Sequence, residues 1–202
     1  MHKDMETTRL IIVAVGGQGN LLASKVLGEA ALISGVPVRM SEIHGMAQRG
    51  GVVESAIVFG NAKSSIISDG EADILLGFEP VETLRAINRC SKNTMVITNT
   101  ATLPPFTVSI GNGVYPDVEN VKNLLREKTA GLVAIDAMKL AREAGSPMSV
   151  NIVLLGALIQ TGALGFTREN VIEAIKRRTK PAFLEKNLKA FELGFEAAEK
   201  SR

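Results

Sequence analysis

The chain has 202 residues, enough for one sizeable core, and its 46% hydrophobic and 22% charged content is that of a globular protein. A net charge of +2, with no run of five Lys/Arg, gives no electrostatic case for nucleic acid or a membrane surface as partner. A single cysteine, Cys90, excludes an internal disulfide framework and a four-Cys iron–sulfur cluster held by this chain alone, and two histidines supply zinc poorly, so no metal site is expected.

The opening MHKDMETTRL is polar and lacks a signal-peptide hydrophobic region. The longest apolar run, 152–159, falls far short of the ~20 residues of a membrane span, so a cytoplasmic location is expected. Residues 10–15 (LIIVAV) form a continuous apolar run closed by Gly16-Gly17, the pattern of a strand buried on both faces. Leu21, Leu22, Val26, Leu27, Ala30 and Ala31 then recur at helical spacing, and Gly35 follows as a stop. A second strand at 36–41 completes a βαβ unit, whose crossover makes its two strands parallel.

A glycine-containing loop, 45–51, leads to a strand at 52–59, and two buried strands are expected at 73–78 and 94–98. Between those two, Val81, Leu84 and Ile87 mark one apolar helix stripe over 79–90, ending at Cys90. Ser68-Asp69-Gly70 reads as a turn. Residues 103–116 hold three of the seven prolines and read as a loop or edge element. Asp117 caps a helix to 128; a strand at 132–135 precedes a helix capped by Asp136 that stops at Gly145. Residues 150–159 form an almost wholly apolar helix, and Thr167 caps another whose last turn carries Lys176, Arg177 and Arg178. A final helix carries a seam of Leu184, Leu188, Phe191, Phe195 and Ala198, more consistent with covering the core than with a docking arm.

Strands alternating with helices predict a three-layer α/β fold, with a mostly parallel Rossmann-like sheet, helices on both faces and a helical C-terminal third. The chain reads as one domain over 1–202, an α/β core at 1–148 with a helical segment at 149–202 packing on it.

Two glycine-rich stretches carry the chemistry. Gly16, Gly17, Gln18, Gly19 and Asn20 stand at the strand-to-helix turn, where free N–H groups can hold an anion. A dinucleotide fingerprint would place a third glycine where Leu22 stands, and Glu42 is poorly spaced as a ribose ligand. A tight turn that binds nothing is the competing reading. The second stretch, SEIHGMAQRGG, sits at the carboxyl end of the second strand, where open parallel sheets bind ligands. Arg49 could clamp a carboxylate or phosphate, His44 could move a proton near neutral pH, and Gly50 and Gly51 free the backbone to turn. A Glu42–Arg49 pair that merely orders the loop weighs equally on physical grounds.

These strings, GGQGN and SEIHGMAQRGG, together with ADILLGFEP, Glu82, Arg85 and NIVLLG, resemble the gamma-type domain of 2-oxoacid:ferredoxin oxidoreductases, in its indolepyruvate branch, over nearly the whole chain. The resemblance implies oxidative decarboxylation of aryl 2-oxoacids to aryl-acetyl-CoA with reduction of ferredoxin. It also implies that thiamine diphosphate, Mg2+ and [4Fe–4S] clusters reside in a large alpha subunit, and that coenzyme A is a cosubstrate. On that basis Glu42, His44, Gln48 and Arg49 are candidates at a shared cavity or interface, and Gly16–Asn20 could take a coenzyme A phosphate. The partner would be the alpha subunit, as a heterodimer or α2β2 assembly, and the isolated chain is expected to be inactive and able to self-pair. Two other classes remain: a stand-alone NAD(P) or flavin enzyme on Gly17–Gly19, and a purely structural assembly subunit.

Overall fold

The computed structural model of the chain describes residues 7–45 and 51–201. Strand β1 (Thr8–Val15) is apolar throughout because both of its faces are covered. Leu10, Ile12 and Ala14 point into one core cluster, while Ile11 and Val13 point into the other. Helix α1 (Asn20–Ile33) leads to β2 (Val38–His44), which pairs antiparallel with β3 (Val52–Phe59) along its whole length. β3 in turn pairs antiparallel with β1. β4 (Ala72–Gly77), β5 (Cys90–Asn99) and β6 (Gly131–Ile135) continue the other side in parallel, giving the order β2-β3-β1-β4-β5-β6.

β1 and β2 do run the same way, as a βαβ crossover requires, but they are not neighbours: β3 returns between them. β2 also runs three residues further than the sequence pattern indicates, so Glu42 and His44 sit on a strand, opposite Ser55 and Val53. Edge pairing explains the extension, since β2 needs no apolar run on both faces to be held by its ladder to β3. The expected helix over 79–90 is shorter. α2 covers Pro80–Arg85, and a 3-10 turn, Ile87–Arg89, follows where Asn88 is drawn onto Asp69 and Gly70. β5 therefore begins at Cys90, which starts a strand instead of ending a helix.

One face of the sheet carries α2 and α4 (Val118–Lys128), with Val121 and Leu125 against Val13, Leu75 and Val96. The other face carries α1, α5 (Ala137–Glu143), α6 (Val150–Gln160), α7 (Arg168–Arg178) and α8 (Pro181–Lys200). α6 has apolar residues all round and is buried from Val150 to Ile159, packed among α1, α5, α8 and β5. α6 and α8 touch backbone to backbone, because Gly156 lies against the Phe191 carbonyl and Gly194 against the Val153 carbonyl. Asn151 anchors the start of α6 to the front of the sheet, donating to the Gly19 carbonyl at 3.1 Å. Thr167 caps α7 in a reciprocal box with Asn170. Among the described residues no helix is long and apolar enough to cross a membrane.

Candidate functional site

The carboxyl ends of β1, β4, β5 and β6 open onto a cleft of about 800 Å³ on the α1 face, within the usual size of a small-molecule site. Its back wall is the turn from β1 into α1. Gly17 and Gly19 both have left-handed backbone (φ 97° and 85°), which requires glycine, and a Cβ on Gly19 would lie 2.7 Å from Asn151 Nδ2. No side chain caps the N-terminus of α1. Lys139 and Arg142 of α5 line the opposite wall beside Asp136 and Glu143, and Leu103 and Met148 supply apolar surface.

An amide network sets the floor. The Phe78 carbonyl, just after β4, accepts from Gln18 Nε2 at 3.2 Å and from Asn99 Nδ2 at 3.1 Å. Gln18 Oε1 accepts from Val15 N, and Asn99 Oδ1 accepts from Ala101 N and Ala137 N. Two side chains thus tie together the exits of β1, β4 and β5 and the start of α5. Both are satisfied by backbone, so they position the cleft more than they offer groups to a ligand.

Glu79, almost fully buried, holds the cleft's third wall. Oε2 caps α2 by accepting from Val81 N at 2.7 Å and Glu82 N at 3.1 Å. Oε1 accepts from Leu103 N at 3.2 Å and from the Tyr115 hydroxyl. The segment 101–116, which includes the short helix α3 (Phe106–Ser109), is therefore held by Asn99 at Ala101 and by the Glu79 carboxylate at Leu103 and Tyr115. Burial, then the Glu79 acceptor, pushes the Tyr115 hydroxyl well above its usual range, so it stays a donor.

The two glycine-rich stretches meet at this edge: Gly16 N donates to the Gly51 carbonyl at 2.8 Å. Gly45 N likewise donates to Val52 O at 2.8 Å, closing the two arms of the β2–β3 connection. Gln48, Arg49 and Gly50 lie outside the described residues. Glu42, half-buried, lines a small pocket with Ser24, Ser41 and Ser55 between α1 and the β2–β3 pair. β3 stands between β1 and β2, which carries Glu42 about 10 Å away from β1, two strand spacings. With Leu22 in place of a third glycine, the arrangement does not form a ribose-binding dinucleotide site.

Glu79, Asn99, Tyr115, Lys139 and Arg142 did not emerge from the sequence as site residues. Only Glu79 leaves a local signal, a capping side chain directly before Pro80 at the first position of α2. Cys90, half-buried at the far end of β5, has its thiol pushed up to about 11 by burial. Among the described residues no three His, Cys, Asp or Glu side chains are grouped so as to hold a metal.

Comparison with known proteins matches residues 9–197 to the family described as pyruvate ferredoxin/flavodoxin oxidoreductase. The chain is 43% identical over 196 residues to a Pyrococcus horikoshii protein named indolepyruvate oxidoreductase subunit IorB, covering 96% of this chain and 97% of that one. It is 42% identical, with the same coverage, to the subunit of that name from Thermococcus kodakarensis. The fold is similar to the crystal structure of a keto/oxoacid ferredoxin oxidoreductase gamma subunit from Geobacter sulfurreducens, with a TM-score of 0.70, 24% identity and coverage of 96% and 99% of the two chains.

Proposed function

The chain belongs to the pyruvate ferredoxin/flavodoxin oxidoreductase family, and from that premise we propose that it is the small subunit of an indolepyruvate-type 2-oxoacid:ferredoxin oxidoreductase. In this reading the complex decarboxylates an aryl 2-oxoacid, passes two electrons to ferredoxin and delivers the acyl group to coenzyme A. Thiamine diphosphate, Mg2+ and the [4Fe–4S] clusters are carried by a large alpha subunit in the cytoplasm. The donor set supports that division: the one cysteine has a half-buried thiol with a raised pKa, unsuited to act as a thiolate ligand.

The observation that carries the reading is the near full-length similarity to the subunits named IorB, 43% and 42% identical over 96% of this chain. The Gly16–Gly51 hydrogen bond, which extends the β1–β3 ladder, sets the two glycine-rich stretches side by side. The segment 42–51 packs against the large subunit, close to the thiamine or coenzyme A end of the reaction cavity, with Arg49 fixing an anionic group and His44 and Gln48 orienting the segment or substrate. Gly16–Asn20 and the α1 N-terminus, facing Lys139 and Arg142, take a phosphate of coenzyme A, and Leu103 and Met148 take its apolar arm.

Reconstitution with the large subunit tests both parts. Arg49→Ala is expected to assemble normally but to lose turnover by ten-fold or more, and wild-type turnover would remove Arg49 from the mechanism. Coenzyme A is expected to slow hydrogen exchange across 16–20 in the complex; unchanged exchange there would exclude that subsite.

A further inference from the structure

A second groove opens at the same edge of the sheet but on its other face, between β3 and α2. It is lined by Val13, Val52, Glu54, Glu82, Arg85 and Arg89, among others, and its volume is about 250 Å³, the scale of one side chain. Its position follows from register: Val15 pairs with Val52, the residue after Gly51, and Val13 pairs with Glu54. The groove therefore adjoins the β2–β3 connection on the side away from the cleft.

Glu82 is the anomaly in it. Only 9% of the residue is exposed, yet Oε2 is buried without a hydrogen-bond partner, while Oε1 faces Arg85 Nη1 at 3.3 Å. A carboxylate oxygen removed from water with no donor is rare in a native fold and marks a missing partner. Among the described residues no nearby group fills the gap. The backbone N–H of Glu82 and the Tyr115 hydroxyl both donate to Glu79. Arg89 is engaged by the Ile67 carbonyl at 2.9 Å, Glu54 at 3.4 Å and Asp69 at 3.5 Å. Arg85 lies over the carboxylate, but its side chain is 61% exposed and free to swing into water.

We propose that this groove is a socket for a cationic side chain, Lys or Arg, of the large subunit, whose N–H groups supply the donors that Glu82 Oε2 lacks. The proposal rests on the reading of this chain as one subunit of a larger enzyme. The donorless oxygen selects the occupant: Glu54 is already paired with Arg89, whereas Glu82 Oε2 lacks an N–H donor, and the exposed Arg85 that pairs with Oε1 can yield its place to a cation of the partner. Burial, more than any neighbour, raises the Glu82 carboxyl above its usual range, as a carboxylate removed from water requires.

The test is the dissociation constant between this chain and its large subunit, measured for the wild type, Glu82→Gln and Arg85→Ala, with the melting temperature of each chain alone. Glu82→Gln keeps the shape and removes the charge, so its affinity is expected to fall at least ten-fold with an unchanged or higher melting temperature. Arg85→Ala, which removes the competing cation, is expected to bind at least three-fold more tightly than the wild type. Should Glu82→Gln fail to fold, the Arg85→Ala result decides. Equal affinity for Glu82→Gln, or no gain in affinity for Arg85→Ala, would overturn the socket while leaving the subunit assignment intact. Failure of the wild-type chains to associate would remove the assignment and the socket together.

Discussion

Replacing Gly194 with Ala probes the contact that fixes the C-terminal helices to the sheet. An ideal Cβ at Gly194 would stand 1.9 Å from the Val153 carbonyl oxygen and 2.7 Å from its carbon, both backbone atoms of α6 that cannot rotate away. Relief requires α6 and α8 to part by more than an ångström along a seam where α6 is wholly buried. Overpacking of a core interface costs roughly 3 kcal/mol, and Ala recovers about 1 kcal/mol of helix propensity, leaving about 2 kcal/mol of destabilisation. For a chain of this size that lowers Tm by about 4–8 °C. Thermal unfolding followed by circular dichroism measures it. Gly156→Ala meets the Phe191 carbonyl at 2.0 Å and should behave alike, and the double variant should cost less than the sum because one parting of the helices serves both. A Tm within 2 °C of wild type for Gly194→Ala would refute this close backbone contact.

By contrast, Gly28→Ala in α1 should be neutral or stabilising by up to about 1 kcal/mol, because its Cβ meets only the mobile Sδ of Met40 on the edge strand; denaturant unfolding reads this out. Glu79→Gln removes the charge that caps α2 and holds Leu103 and Tyr115, so limited proteolysis should cut 101–116 faster and Tm should fall, by about 2 kcal/mol of stability. Cys90 should react slowly with a thiol reagent at pH 8 in the folded chain and quickly in denaturant. Its folded pKa of about 11 lies above the ordinary 9.0, so its contribution to stability is present below pH 9 and fades as pH rises from 9 to about 11. Cys90→Ala should flatten that alkaline decline in Tm, and an identical decline in the variant would exclude the thiol as its source.

The central strands were legible because a strand covered on both faces leaves nothing but apolar residues, as Leu10–Val13 and Leu75–Leu76 do. Helix ends were legible where a single side chain decides them, at Asp117, Asp136 and Thr167. The place of β3 between β1 and β2 was not, since strand order depends on which ladder closes and no local pattern encodes it. The same holds for the cleft. Gly17 and Gly19 announce a special turn by composition, whereas Lys139 and Arg142 face them only because α5 follows β6, two strands beyond β4. Glu79 and Asn99 act on partners 21 to 38 residues distant, at Leu103, Tyr115, Phe78 and Ala137, and such pairings leave no spacing to read.

The account stands on the claim that this chain shapes an active centre whose reactive groups belong to another subunit. The direct measurement is reduction of a ferredoxin-linked dye with an aryl 2-oxoacid and coenzyme A, first by the purified chain and then after addition of the large subunit. No turnover alone, and turnover that rises with added partner and saturates with assembly, is the expected result. Sustained product formation by the isolated chain would contradict it.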